Sequence, residues 1–255
     1  MIRKKRSHDR TAVDALKIID ESTPFAVKEA FNSLATNVIY LPITDRCKKI
    51  AITSSVSGEG KTYISINLSI VLAKNLTDKK VLLIDMDIRS PRISKLFKSF
   101  SDSYNSNEGL SEYLIGISDK PNIVSTNIPG LSILFAGGES SNPAGLINSQ
   151  KMTEFLKKCE EEYDYIIIDT PPINIVSDAT LLNDRVNGYI ITTRSEYSTT
   201  RSLAVAEELL NSVGAHIFGV VLTAYNPKKG RKYGYSYDYK YSKKYYSKYY
   251  DNSEK

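Results

Sequence analysis

Six consecutive residues, Ser57-Gly58-Glu59-Gly60-Lys61-Thr62, have the composition to hold a polyphosphate. Glycine at 58 and 60 allows backbone angles that aim successive N–H groups inward. Lys61 supplies a point charge for the outer phosphates, and the Thr62 hydroxyl is of the kind that ligates Mg²⁺. An apolar strand, Ile50-Ala51-Ile52, feeds the run, and a helix-forming stretch from Tyr63 to Ala73 follows it. The loop therefore opens on a helix start, with its unpaired N–H donors and positive dipole. The usual motif has a glycine where Ser55 stands, so a Gly/Ser-rich turn with an exposed lysine is the plain alternative.

Two other strand ends carry acids. Val81-Leu82-Leu83-Ile84 runs into Asp85-Met86-Asp87-Ile88-Arg89, and Ile166-Ile167-Ile168 runs into Asp169-Thr170-Pro171-Pro172. Asp85 and Asp87 are two apart, so an extended backbone faces them the same way. Beside a triphosphate they repel it unless a cation lies between, which implies Mg²⁺. Alternatively, one of them pairs with Arg89 as a structural ion bridge. Asp169 has the setting of a Walker B aspartate, which holds the metal, usually through water; it could also merely cap the next turn.

The elements that must position these groups alternate. A helix is predicted over Pro24–Tyr40, and another over Tyr63–Ala73 before the strand at 81–84. Short helices are predicted over Pro91–Phe100 and Leu110–Gly116, then a strand over Leu131–Ala136 and a helix over Gln150–Tyr163. Past the strand at 165–168, Asp178–Asp184 reads as helix, Gly188–Thr193 as strand, Thr199–Val213 as helix and Ile217–Thr223 as a last strand. Continuous apolar strands alternating with helices mean an α/β domain, a mainly parallel sheet covered on both faces. Ligands in such sheets sit at the carboxyl ends of the strands, where the loop and the acids are. Three segments are predicted: an arm and helix over 1–43, a nucleotide-binding domain over 44–226, and a tail over 227–255.

At 255 residues the chain can bury a full core. No apolar run reaches the ~18–20 residues needed to span a membrane, and the basic start Met1-Ile2-Arg3-Lys4-Lys5-Arg6 has no apolar segment behind it, unlike a secretory signal. Cys47 and Cys159 form no CxxC pair, which suits a reducing cytoplasm. The net charge of +5 divides into +6 over residues 228–255 and −1 elsewhere. A nearly neutral body argues against a nucleic-acid-binding domain.

The tail holds Tyr233, Tyr235, Tyr237, Tyr239, Tyr241, Tyr245, Tyr246, Tyr249 and Tyr250, half of the eighteen tyrosines in the chain. With almost no aliphatic residue it cannot bury a core and is expected to be disordered alone. A basic, aromatic run can stack on single-stranded nucleic acid or adhere to an anionic membrane surface. The sharper reading is that the tyrosines accept phosphate. Nine phosphates add a charge on the order of −14 to −18 and reverse the tail completely.

With these residues together the chain resembles the bacterial protein-tyrosine kinases (BY-kinases) of the CpsD/CapB family, over roughly Pro24 to the end. The resemblance rests on Ser57–Thr62, on Val81–Arg89 as the Walker A′ segment, on Ile166–Pro172 as Walker B, and on the terminal tyrosines. Gly109–Gly116 and Asn142–Leu146 are weaker family-like phrases. It implies a P-loop NTPase fold of MinD/ParA-like deviant Walker architecture. It further implies ATP and Mg²⁺ as cofactors, with Ser57, Gly58, Glu59, Gly60, Lys61, Thr62 and Tyr63 at the ATP. Lys61, Asp85 and Asp87 become the catalytic residues, Thr62, Asp85, Asp87 and Asp169 the metal residues, and Asp85 the acceptor of the phenol proton. The implied partners are a transmembrane adaptor of the polysaccharide copolymerase type, neighbouring kinase subunits that exchange phosphate, and a tyrosine phosphatase. No nucleic acid is expected, and membrane contact comes only through the adaptor, which recruits a cytoplasmic kinase to the inner face of the membrane. The implied role is regulation of capsular or exopolysaccharide synthesis and export.

The chain departs from the family in two places. The family's Glu-x-x-Arg-x-x-Arg ring motif becomes Glu29, Asn32 and Ala35, so arginine pairing at that interface is lost and a monomer or weak oligomer is expected. Thr223 stands where the family often has asparagine, which bears on the adenine contacts. Among the rivals, MinD/ParA-type ATPases carry a signature lysine where Val56 stands, and iron–sulfur carriers need a CxxC. A nucleotide-binding adaptor without transfer activity remains the other reading.

Overall fold

The computed structural model describes residues 18–97 and 108–226. The nine tail tyrosines, the segment 227–255 and the helix reading over 98–100 lie outside the described residues. One sheet runs, edge to edge, through β3 (Ile123–Ser125), β4 (Leu131–Leu134), β2 (Val81–Asp85), β5 (Tyr165–Asp169), β1 (Lys48–Ser54), β6 (Gly188–Arg194) and β7 (Ile217–Thr223). Every neighbouring pair is parallel except β3 with β4.

The central strands read as unbroken apolar runs because both faces are covered: β2 and β5 are buried at every position. Successive side chains feed opposite cores. Ile50, Ile52, Leu83 and Ile167 pack on one face with α1 (Phe25–Ile39) and α2 (Lys61–Asn75). Ala51, Leu82, Ile166 and Ile168 pack on the other with α4 (Leu110–Ile115), α5 (Pro143–Ile147), α6 (Gln150–Glu162), a 3₁₀ helix (Ser177–Arg185) and α7 (Thr200–Ser212). The short α3 (Ile93–Phe97) follows β2.

Twelve of the fifteen residues of α2 are buried, because the sheet covers one side and α1 the other. Its buried serines survive there by bonding back along the helix, Ser65 to the Lys61 carbonyl and Ser69 to the Ser65 carbonyl. Asn67 accepts the Ile19 amide at 2.8 Å and ties the chain ahead of α1 onto α2. Phe31, Ala35 and Val38 of α1 belong to the same core as α2, so the boundary at 43 is one of sequence and not of packing.

The expected elements form with ends shifted by one or two residues. The 178–184 segment is a 3₁₀ helix, and β3 and α5 are additions. Both are too short to show a period. α5 is set by Asn142, whose side chain accepts the Gly145 amide, and by Pro143 at its first position.

Candidate active site

Register brings the groups together. Asp85 is paired with Asp169, and Asp169 with Ile52 on its other side, so two acids and the start of the phosphate loop lie abreast at one end of the sheet. The Met86 amide donates to the Asp169 carbonyl and closes β2 against β5. The loop turns on Gly58 and Gly60, at φ +89° and +96°, where a side chain would be strained. Gly60 is the N-cap of α2, so Lys61 and Thr62 are its first residues.

Lys61 Nζ lies 2.7 Å from Asp87 Oδ2 and 3.7 Å from Asp169 Oδ2. Thr62 Oγ1 donates to Asp169 Oδ2 at 2.7 Å, and Ser65 Oγ lies 3.1 Å from the other Asp169 oxygen. Burial works against the Lys61 charge, but Asp169 and Asp87 outweigh it and its pKa is raised. Burial, then the charge of Asp169, pushes the Asp85 carboxyl up to about 8 against the pull of Lys61. Burial also raises Asp169, opposed by Lys61 and by the Thr62 hydroxyl.

The expectation that Asp85 and Asp87 face the same way is corrected. The strand ends at Asp85, and the Asp87 amide turns back to donate to Asp85 Oδ1, so the two-residue period does not reach Asp87. The Ile93 amide donates to Asp85 Oδ2. With both oxygens engaged and no exposed surface, Asp85 sits behind the site, whereas Asp87 lines it. The alternative bridge from Arg89 to Asp85 or Asp87 is also corrected. Arg89 makes a two-pronged pair with buried Asp178, Nε to Oδ2 at 2.7 Å and Nη2 to Oδ1 at 3.0 Å.

The loop is held at three successive carbonyls. Tyr197 Oη donates to the Ser57 carbonyl at 3.0 Å, Arg194 Nη1 to that of Gly58 at 3.2 Å, and Thr223 Oγ1 to that of Glu59 at 2.7 Å. In a trans peptide the C=O and the next N–H point opposite ways. Fixing these carbonyls therefore aims the amides of Gly58, Glu59 and Gly60 away from Tyr197, Arg194 and Thr223. The buried Glu59 carboxylate completes the frame by accepting from the Val56 amide and the Ser198 hydroxyl.

The relatives point the same way as this geometry. A family model described as an AAA domain matches residues 47–216. The tyrosine-protein kinase CpsD of Streptococcus pneumoniae serotype 4 is 35% identical over 210 residues, 81% of this chain and 89% of that one. The chain belongs to the CpsD/CapB family of bacterial tyrosine-protein kinases. Two solved structures agree. The chimerical protein CapA2B2 superposes with a TM-score of 0.70 at 32% identity, over 79% of this chain and 85% of that one. The kinase domain of the Escherichia coli tyrosine kinase ETK does so at 0.69 and 29% identity, over 81% and 80%.

A cavity of 860 Å³ opens over the phosphate loop of the kinase. Its polar end carries the residues of Ser57–Thr62 with Asp87, Arg89, Arg92 and Arg194. Its apolar end is built by α1, through Val27, Ala30, Phe31 and Leu34, with Tyr63 and the end of β7. Tyr63 meets Phe31 edge-on, with ring centroids 5.5 Å apart. All seven residues expected at ATP border this space.

Among the described residues no three acids, histidines or cysteines form a metal cage. Magnesium needs none, because it takes one or two carboxylates together with substrate phosphates and water. The oxygen donors Thr62, Asp169 and Asp87 fit that habit. Two neighbouring acids driven toward neutrality by burial are the setting that a divalent cation reverses. The kinase residues missed from sequence are Arg194, Tyr197, Ser198, Ser65 and Asp178. The first three stand at or just past the end of β6, where parallel sheets place functional groups, and that signal could have found them.

Proposed function

We propose that this kinase moves the γ-phosphoryl group of ATP to tyrosine hydroxyls within its own residues 227–255, between neighbouring subunits. The supporting observation is the convergence, at the ends of three adjacent strands, of Lys61, Thr62 and Asp87 on the wall of a cavity sized for a nucleotide, with Asp169 bonded to Thr62 just behind them. A magnesium ion, when bound, would be held by Thr62, Asp169 and Asp87 and would supply charge neutralisation at the β- and γ-oxygens.

The amides of Gly58, Glu59 and Gly60 bind the phosphates at the start of α2. Lys61 exchanges its ion pair with Asp87 for a phosphate oxygen, which releases a carboxylate at the cavity wall. One oxygen of that carboxylate would face the ion, and the other orients the acceptor phenol. The phenol oxygen bonds to the γ-phosphorus, the bond to the β–γ bridging oxygen breaks, and ADP leaves with that electron pair. The phenol proton passes to Asp87; a loose transition state asks for it late, which suits a group of pKa about 10. Asp87 takes this role in place of Asp85, which lies behind the wall. The reading extends to polysaccharide loci, since one relative is named a putative tyrosine-protein kinase in the cps region of Klebsiella pneumoniae. It also includes a membrane-spanning adaptor that recruits the kinase and a phosphatase that resets it. Among the described residues no helix is long and apolar enough to cross a membrane.

The test is intact-mass spectrometry of the full chain given Mg-ATP and an adaptor's cytoplasmic segment. Several added phosphates are expected, and none with Lys61→Met. An unmodified wild-type chain overturns the proposal, and persistence in Lys61→Met moves the chemistry elsewhere.

A further inference from the structure

Tyr197 is half-exposed, its hydroxyl is bonded to the phosphate loop, and the Arg194 guanidinium lies 5.3 Å from its ring centre. Tyr40 and Tyr225 are exposed too, but among the described residues only Tyr197 touches the loop this way. It stands on a tight turn after β6, next to Glu196 at φ +59°. A tyrosine kinase thus holds its own nucleotide cradle in shape with the functional group that it modifies.

We propose that Tyr197 is itself a phosphoacceptor, and that its modification loosens the phosphate loop and so limits nucleotide binding. This rests on the phosphotransfer reading above. The Tyr197 oxygen of one copy bonds to the γ-phosphorus of ATP held by another. The bond from that phosphorus to the β–γ bridging oxygen breaks, ADP leaves with the electron pair, and the phenol proton passes to Asp87 of the acting copy.

The loosening follows from the contacts. The hydroxyl proton that held the Ser57 carbonyl is gone. In its place stands a group of charge about −1.5 to −2, which repels carbonyl oxygens. Arg194 Nη1, at 3.2 Å from the Gly58 carbonyl, gains a dianion as a far stronger partner within reach. Two of the three carbonyls lose their holders in one event, and only Thr223 still grips Glu59. The peptide planes on either side of Gly58 can then rotate, and their amides stop converging.

Cleavage after Arg194 and Arg201 releases Ser195–Arg201, a peptide whose single tyrosine is Tyr197. The full chain is incubated with Mg-ATP and its peptides are weighed; ADP affinity is measured for Tyr197→Glu and Tyr197→Phe, with thermal unfolding as the check on folding. The expected result is one phosphate on Ser195–Arg201 beside phosphorylated tail peptides, and neither in Lys61→Met. ADP binding is expected to weaken about tenfold in Tyr197→Glu and about threefold in Tyr197→Phe, at near wild-type unfolding temperature. Phosphorylated tail peptides beside an unmodified Ser195–Arg201 overturn this inference and leave the kinase reading standing. No phosphate anywhere overturns both. Unchanged ADP affinity in Tyr197→Glu overturns the release of the loop.

Discussion

Thr223 shows how a single residue at the end of β7 can brace the phosphate loop. Its Oγ1 reaches the Glu59 carbonyl at 2.7 Å, and its methyl group would stand 3.2 Å from a Cβ built on Gly60. One atom thus braces the loop, while the other packs closely on Gly60, whose φ of +96° already disfavours a side chain. Thr223→Val keeps the shape and removes the donor, at a cost of about 1 kcal/mol. The KM for ATP is expected to rise about fivefold with kcat little changed, and Thr223→Ser to restore it. Steady-state kinetics on the three proteins checks this, and an equal fall in kcat would move Thr223 into the chemistry itself. The sequence left the partner of Thr223 open because Glu59 is 164 residues away, and no spacing rule joins them. The phosphate loop, by contrast, was legible because its chemistry is contiguous.

At the scale of elements, the pairing of β2 with β5 sets two buried acids side by side. The folded Asp85 carboxyl titrates at about 8, above its ordinary value of 3.8. The folded state therefore holds a proton that the unfolded chain has already released. Stability from this group is full below pH 3.8 and is lost as pH rises through about 8. The unfolding temperature of the nucleotide-free protein is expected to fall over that window, and Asp85→Asn to flatten the fall. Scanning calorimetry across the range tests this, and an unchanged slope in Asp85→Asn assigns the effect elsewhere. The strands themselves could be read from sequence because burial on both faces leaves an unbroken apolar signature. The partner of Arg89 could not: Asp178 lies 89 residues on, in a 3₁₀ helix that looks like any polar segment.

For the whole molecule, both faces of the central strands are covered within the described residues, whereas β7 at the edge leaves Val220 and Leu222 exposed. Removing residues 228–255 is expected to leave ADP affinity and unfolding temperature unchanged while deleting the nine tail tyrosines. A loss of affinity in calorimetric titration would make that segment part of the binding fold. Ala35 has no exposed surface and belongs to the core between α1 and α2, so its position offers nothing to a neighbouring subunit. Light scattering is expected to give a monomer or weak oligomer; a stable ring would require another surface.

The 2.7 Å contact between Lys61 and Asp87 bears on selectivity. A cradle of amides and a lysine ought to be fouled by any stray sulfate or orthophosphate in solution. Here the lysine already has an internal counter-ion in Asp87. A bare anion that displaces it leaves the Asp87 carboxylate without its cation, whereas a nucleotide escorted by a cation of its own would give that carboxylate a new partner. On the proposed reading, the site is thereby expected to favour the complexed form of its substrate over simple salts before any adenine is felt.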